Sequence, residues 1–132
     1  MYLEKVKNES INLWWDESET MAIDFKINGD IENETIKLPN SVIAIDCNLI
    51  KVSNVEAKTV IIFNEYEDDI TITGSHIEAE NIIIAKECSI SLLASCIKAD
   101  KRFTGKVYET DKSQLTVPSV GAEDEFGDIV YK

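Results

Sequence analysis

The sequence predicts an all-β fold: a short single-stranded β-helix (solenoid) of about four coils with an N-terminal β-hairpin cap. Three observations predict it. An apolar triplet returns at nearly even spacing, each triplet is followed by further extended runs, and the density of Ile and Val argues for strand rather than helix. A repeat of about 20 residues made of β-branched strands and tight corners is typical of stacked coils. A β-sandwich is the alternative arrangement of such strands.

The repeat core spans residues 36–103, where the triplets begin 19, 22 and 20 residues apart. A second and a third extended run follow each triplet before the next corner, so each unit offers several short strands. If the units stack, the apolar residues that open the triplets form a column through the interior. The triplets are Ile36-Lys37-Leu38, Val55-Glu56-Ala57, Ile77-Glu78-Ala79 and Ile97-Lys98-Ala99.

The hairpin cap is predicted over residues 11–27, where apolar and polar residues alternate on both sides of the polar loop 16–20. The same alternation points Trp14 outward, and an exposed Trp is a candidate contact anchor. The alternative is that Trp14 packs under residues 1–7 or under the C-terminal tail, because monomers leave little large apolar surface bare. Residues 3–11 are the only stretch that could form a short helix.

Residues 106–132 are predicted to form a C-terminal cap and an acidic tail, and the whole chain, residues 1–132, forms a single domain. The two ends of a solenoid expose a ladder edge that can pair with another chain unless it is capped. Oligomers formed by pairing of coil ends are therefore one expectation.

Charge is the strongest feature of the composition. The chain carries 25 acidic and 13 basic side chains, with a net charge of −12 and a pI near 4.4. Such a surface repels nucleic acid and anionic membranes and favours fast, salt-sensitive encounters with basic proteins, although it also serves solubility alone. Residues 86–112 form a basic island, which could let copies meet head to tail through Lys98, Lys101, Arg102 and Lys106.

The chain is expected to be cytoplasmic, without cofactor or bound membrane. The first residues lack the apolar core of a signal peptide, and no run of 18 apolar residues occurs. Three cysteines without ligand-type spacing are expected at apolar coil positions in a reducing compartment. These residues are Cys47, Cys88 and Cys96.

No catalytic motif is found, so a non-enzymatic protein is predicted. The single histidine, His76, is expected at a solvated corner, with no paired base or acid signature beside it. One His and three scattered Cys do not predict a metal site. A carbohydrate-active β-helix with carboxylates along one face is a weaker alternative.

The acidic stretch 65–69 is the first candidate for a partner-binding surface, because four carboxylates surround a tyrosine in the longest coil. It could receive Lys and Arg from a partner or bind Ca²⁺, but it lacks the glycine and terminal glutamate of the calcium loop. A solvated turn is the plain alternative. The candidate partner-binding residues are Glu65, Tyr66, Glu67, Asp68, Asp69, Glu78, Glu80, Trp14, Asp16, Glu17 and Glu19.

Two of the units, residues 75–84 and 95–100, resemble the coils of bactofilins. That resemblance implies a β-helix, right-handed in that family, which polymerises end to end into cytoskeletal filaments. It covers about half of the chain.

Two functions follow as expectations. The first is an acidic binding protein that neutralises a basic partner, such as an immunity protein against a nuclease toxin or a phage-type inhibitor of a nucleic-acid enzyme. Its carboxylates would then occupy sites where the partner expects phosphates. The second is a self-assembling β-helix scaffold of bactofilin type.

Overall fold

The computed structural model describes residues 1–132, apart from the side chains of Glu109 and Thr110. In the described part of the chain all regular structure is strand, and no helix there could cross a membrane. The strands are β1 (Tyr2–Asn12), β2 (Thr20–Asn28), β3 (Ile31–Glu32), β4 (Thr35–Asp46), β5 (Leu49–Lys51), β6 (Asn54–Phe63), β7 (Ile70–Thr73), β8 (His76–Ile84), β9 (Ser89–Leu93), β10 (Cys96–Asp111), β11 (Gln114–Thr116), β12 (Ala122–Glu123) and β13 (Ile129–Tyr131).

The strands stack in parallel into a β-solenoid of about four turns, which confirms the predicted fold class and rejects the sandwich. The stack has three faces. The first halves of β4, β6, β8 and β10, with β11, form face A; their second halves, with β2, form face B. Face C consists of β3, β5, β7, β9 and the end of β10.

The predicted interior column exists. Ile36, Val55, Ile77 and Ile97 lie in register on successive coils, followed by Leu115. Val55, Ile77 and Ile97 are no more than 1% exposed. Because identical positions lie over one another, each added coil buries the apolar surface of the previous one, and the core grows without a change of pattern.

The corner between faces C and A is built from a residue with positive φ, which is followed by a serine in every coil after the first. The positive-φ residues of successive coils are Asn33, Val52, Gly74, Ala94 and Lys112. Ser53, Ser75 and Ser95 follow, and each amide donates to the hydroxyl of the next coil's serine at 3.0–3.1 Å. Each of these hydroxyls donates to the carbonyl two residues earlier, so the buried corner is fully hydrogen-bonded.

The N-terminal hairpin is longer than predicted, because the stretch 3–11 is strand β1 and not a helix. The register of β1 on β2 shifts between Lys5 and Glu9, where Asn8 has a φ of 60°. After the shift, residues 25–28 of β2 pair with β4 and extend face B. Before it, the tip of the hairpin lies over the outer side of that face. Leu13 and Ile23 there bury the outward side chains Ala44, Ile61 and Ile83.

The C-terminal end is covered by the chain that follows β10. Strand β11 adds to face A in parallel, and β13 pairs antiparallel with residues 105–107. The ring of Tyr131 meets Phe103 edge-on at 5.3 Å between centroids. The fully buried Phe103 therefore has an aromatic cover in place of a further coil.

Candidate functional site: the acidic edge

One long edge of the solenoid, between faces B and C, collects carboxylates from three successive coils. Residue 30 precedes β3, residue 46 ends β4, and residues 65–69 link β6 to β7. The strands on either side are in parallel register, so these corners lie over one another. We call this surface the acidic edge and define it as Asp30, Asp46, Glu65, Glu67, Asp68 and Asp69.

The loop of the acidic edge is held by Asn64, which is 6% exposed. Its side-chain NH₂ donates to the Cys47 carbonyl at 3.1 Å, and its Oδ1 accepts the Tyr66 amide at 2.8 Å. The Glu67 amide donates to the Asn64 carbonyl at 2.9 Å, and Glu67 has a φ of 58°. These bonds form a tight turn that directs all five side chains of residues 65–69 to the exterior, where Tyr66 is 76% exposed.

Asp30 and Asp46 connect the edge to the coil ladder. Oδ1 of Asp30 accepts the amides of Asn48 and Leu49 at 2.9 and 3.1 Å. Oδ1 of Asp46 accepts the Glu65 amide at 3.2 Å. Each carboxylate thus has one oxygen fixed by backbone of the next coil. Together with Tyr66 they border a shallow depression of about 260 Å³.

In the part of the chain that the structure describes, the acidic edge brings six carboxylates together without a cation of the same chain among them. Five carboxylates on the faces and the hairpin do meet a cation of the same chain: Glu9 meets Lys26, Glu56 meets Lys37, Glu78 meets Lys98, Glu80 meets Lys101 and Glu19 meets Arg102. Within the described side chains, no ion pair involves a residue of the acidic edge. The edge therefore concentrates uncompensated negative charge.

Several predicted site residues are engaged inside the chain instead. Glu78 lies 3.7 Å from Lys98 and Glu80 lies 3.4 Å from Lys101. Glu19 holds Arg102 with both carboxylate oxygens at 2.8 and 2.9 Å. Since a partner would have to displace these cations, the three glutamates are poorer candidates for partner contacts than the unpaired residues of the acidic edge.

The basic island is partly neutralised, because Lys98, Lys101 and Arg102 are the cations of those pairs. Head-to-tail contact of copies through the basic island stays a prediction, and it would require these three residues to leave their pairs. The physical reason for the pairing is register: β10 lies beside β8, which places Lys98 directly over Glu78. Lys106 lies in a different place, on face C beside β9 and β13.

The remaining predicted residues, which lie in or next to the hairpin loop, have different surroundings. Trp14 does not point freely outward: its ring lies 5.7 Å from Phe63, at the base of the acidic edge. Asp16 closes a local turn, since its Oδ1 accepts the amide and the hydroxyl of Ser18 at 2.9 and 2.8 Å. Those hydrogen bonds, the amide first, lower the pKa of Asp16. Glu17 is exposed.

The sequence analysis missed Asp30 and Asp46. The signal was present, because each stands at the corner that follows a face B run, as Glu65 does, but only the coil register shows that the corners coincide. No group of three or more His, Cys, Asp or Glu among the described residues is arranged to hold a metal ion. Comparison with protein-family models, with curated proteins and with solved structures finds no match for this chain.

Proposed function

We propose that this chain is a non-enzymatic protein that binds and neutralises a basic partner through the acidic edge. The partner class is a nucleic-acid enzyme such as a nuclease, and the chain would act as an immunity protein or a phage-type inhibitor. The observation that carries the proposal is the clustering of charge: six carboxylates from three successive coils share one edge, and none of them forms an ion pair within the described side chains.

The geometry of the edge supports a protein partner. Carboxylates from neighbouring coils repeat at about 4.8 Å along the stack, a spacing fixed by the backbone ladder. The fixed oxygens of Asp30 and Asp46 lower the entropy cost of binding, because these groups are ordered before a partner arrives. Tyr66, protruding between Glu65 and Glu67, offers an aromatic contact of the kind enriched in interface hot spots.

The test measures binding of the purified chain to each basic nucleic-acid enzyme encoded beside its gene. We expect a complex at low salt whose association rate falls as NaCl rises from about 50 mM to about 500 mM, because screening removes electrostatic steering. We also expect the enzyme's activity on nucleic acid to fall in proportion to complex formation.

Two variants with the same net charge separate the edge from charge in general. The first neutralises the edge loop by E65Q, E67Q, D68N and D69N. The second neutralises four exposed carboxylates elsewhere by E4Q, E32Q, D100N and E125Q. The first should bind about 10- to 100-fold more weakly, and the second should bind almost as the parent does. Equal weakening of both variants, or no binding to any enzyme at low salt, would contradict the proposal.

A self-assembling scaffold of bactofilin type is the second candidate, favoured by the N-terminal end of the stack. Strand β1 is the last strand of its sheet there, and Met1, Tyr2 and Leu3 are 48%, 64% and 43% exposed. An open edge with exposed apolar side chains is suited to pairing with a second chain. Pairing of β1 with a second chain is opposed by Lys5, by Lys7 and by the register shift in β1, since charges and bulges disfavour pairing at a sheet edge.

Sedimentation over a wide concentration range tests this candidate. Assembly through β1 predicts a mass that rises with concentration and stays low when Leu3→Lys places a charge on the edge. A monomer at every concentration eliminates the scaffold function without affecting the proposal for the acidic edge.

A further inference from the structure

Face A carries a thiol, an imidazole and a carboxylate in one outward patch. Cys96 begins β10 and His76 begins β8, and the two residues are register partners on adjacent coils. Their neighbours Ile77 and Ile97 are fully buried, so the alternation of a strand directs His76 and Cys96 outward. This corrects two sequence expectations: His76 lies in a strand, and Cys96 is not in the apolar interior.

The imidazole lies next to a carboxylate of its own strand. Nε2 of His76 lies 3.6 Å from Oε2 of Glu78, and Oε1 of the same carboxylate lies 3.7 Å from Nζ of Lys98. Both His76 and Glu78 remain accessible, with side chains 45% and 40% exposed. Glu78 therefore lies on the Nε2 side of the ring, which leaves Nδ1 for a second partner.

The thiol of Cys96 is within reach of the His76 imidazole. Adjacent strands lie about 4.8 Å apart, so rotation of the Cys96 side chain brings its sulfur to either neighbouring coil. In this structure Sγ lies 3.8 Å from Oε1 of Gln114, the register partner on the other side. The thiol is thus placed between an amide and an imidazole. A nucleophile beside a base that a third group orients is the arrangement that activates cysteines.

We propose that Cys96 is a reactive thiol that forms mixed disulfides with small disulfides, with His76 as its base and Glu78 positioning the imidazole. The thiol proton passes to the imidazole, and the thiolate attacks one sulfur of the disulfide. The S–S bond of the reagent breaks as the new S–S bond to Cys96 forms. The departing thiolate takes up the proton from the imidazolium or, when it is a weakly basic aromatic thiolate, stays ionised while that proton passes to water. No further oxidant is needed.

The other two thiols are buried and are expected to contribute little to the reaction of the folded protein. Cys47 and Cys88 are 3% and 0% exposed. Burial, and then the charges of Asp30 and Asp46, raise the pKa of Cys47 to about 12. Burial also raises the pKa of Cys88. Buried thiols that stay protonated react slowly, so fast reaction in the folded protein reports Cys96.

The experiment follows reaction of the full chain at neutral pH with a chromogenic aromatic disulfide and, in a second arm, with oxidised glutathione detected by mass spectrometry. We expect one fast thiol in the folded protein, lost in Cys96→Ser, and three thiols in denaturant. His76→Gln should slow the fast reaction at least about tenfold, below the roughly 100-fold of an aligned enzymatic base, because no substrate is held here.

Two further variants separate positioning from simple charge. Glu78→Gln removes a negative charge near the thiol, which alone would speed attack, whereas loss of ring orientation slows it. The proposal requires a slower reaction. Glu56→Gln, the register partner of Glu78 on the side away from Cys96, should leave the rate unchanged. An unchanged rate in His76→Gln, a faster rate in Glu78→Gln, or a fast thiol remaining in Cys96→Ser would overturn the proposal.

Discussion

At the scale of single residues, the corner between faces C and A imposes one backbone conformation on very different side chains. The φ angles of Val52, Gly74 and Ala94 are 48°, 58° and 48°. Glycine adopts this conformation freely, whereas a β-branched residue does so only under strain of about 1–3 kcal/mol. Val52 is 55% exposed, so packing offsets little of that strain.

Replacing Val52 should therefore stabilise the protein. We expect Val52→Asn to raise the free energy of unfolding by about 1 kcal/mol, because Asn tolerates positive φ better than Val. Gly74→Val, the reverse change at the next corner, should lower it by about 1–2 kcal/mol. Urea unfolding with an unchanged m-value measures both effects. Destabilisation by Val52→Asn would mean that Val52 makes a contact worth more than its strain.

The Cys47 thiol predicts a loss of stability at alkaline pH. Its pKa in the folded chain is about 12, against 9.0 for an ordinary thiol. Between pH 9 and 12 the folded state therefore binds more protons than the unfolded state, and the free energy of unfolding falls as pH rises. The slope from this group approaches about 1.4 kcal/mol per pH unit. Cys47→Ala should flatten the curve above pH 9; an equally steep curve would assign the loss to other groups.

At the scale of elements, the serine corner and the hairpin connect coils that are distant in sequence. The hydroxyl of Ser75 accepts the Ser53 amide at 3.0 Å and donates to the Thr73 carbonyl at 3.0 Å. The hairpin tip crosses the stack, since the Trp15 indole donates to the Ile84 carbonyl at 2.8 Å and Glu19 reaches Arg102. Both elements brace the stack, one from a corner and one from the outside.

Removing one hydroxyl from the serine corner should be costly. Ser75→Ala leaves the buried Ser53 amide without its partner, and we expect a loss of about 1–3 kcal/mol in the free energy of unfolding. Ser91→Ala, on the outer side of β9, is the matched control and should cost less than about 0.5 kcal/mol. Equal effects of the two changes would show that the hydroxyl ladder contributes little.

The hairpin can be tested in the same way. Leu13 is fully buried against the outside of face B, whereas Leu3 of the same hairpin is 43% exposed. We expect Leu13→Ala to cost about 2–4 kcal/mol and Leu3→Ala well under 1 kcal/mol. If both changes have small effects, the hairpin does not hold the outer face of the solenoid closed.

At the scale of the whole molecule, a net charge of −12 opposes the compact state while the acidic edge remains uncompensated. Repulsion among the carboxylates of the edge therefore lowers the free energy of unfolding. The clustered charge of the edge therefore does not serve the stability of the free protein.

Neutralising the edge should accordingly stabilise the free protein. We expect D68N with D69N to raise the thermal midpoint by about one or two degrees at low ionic strength, equivalent to a few tenths of a kcal/mol. The gain should vanish at about 0.5 M NaCl, where screening acts within a few ångströms. A gain that persists in high salt would indicate a local conformational effect in place of charge repulsion.

Much of this fold can be predicted from the sequence because the same pattern of apolar residues returns in each coil. The positions of Val55, Ile77 and Ile97 required only that apolar residues return once per coil, and the structure places them in one column. The hairpin was predictable from alternation. Its bend over face B was not, because the face B runs are apolar on both sides, and sequence alone does not say what covers the outer side.

The sequence by itself determined the all-β character, the coil repeat, the interior column and the excess of negative charge. Only the tertiary structure decided which charges pair, which carboxylates share an edge, and that His76 lies beside Cys96. The physical reason is register between coils. It depends on corner conformations and on loops of unequal length, and those are set by contacts between residues about 20 positions apart in the chain.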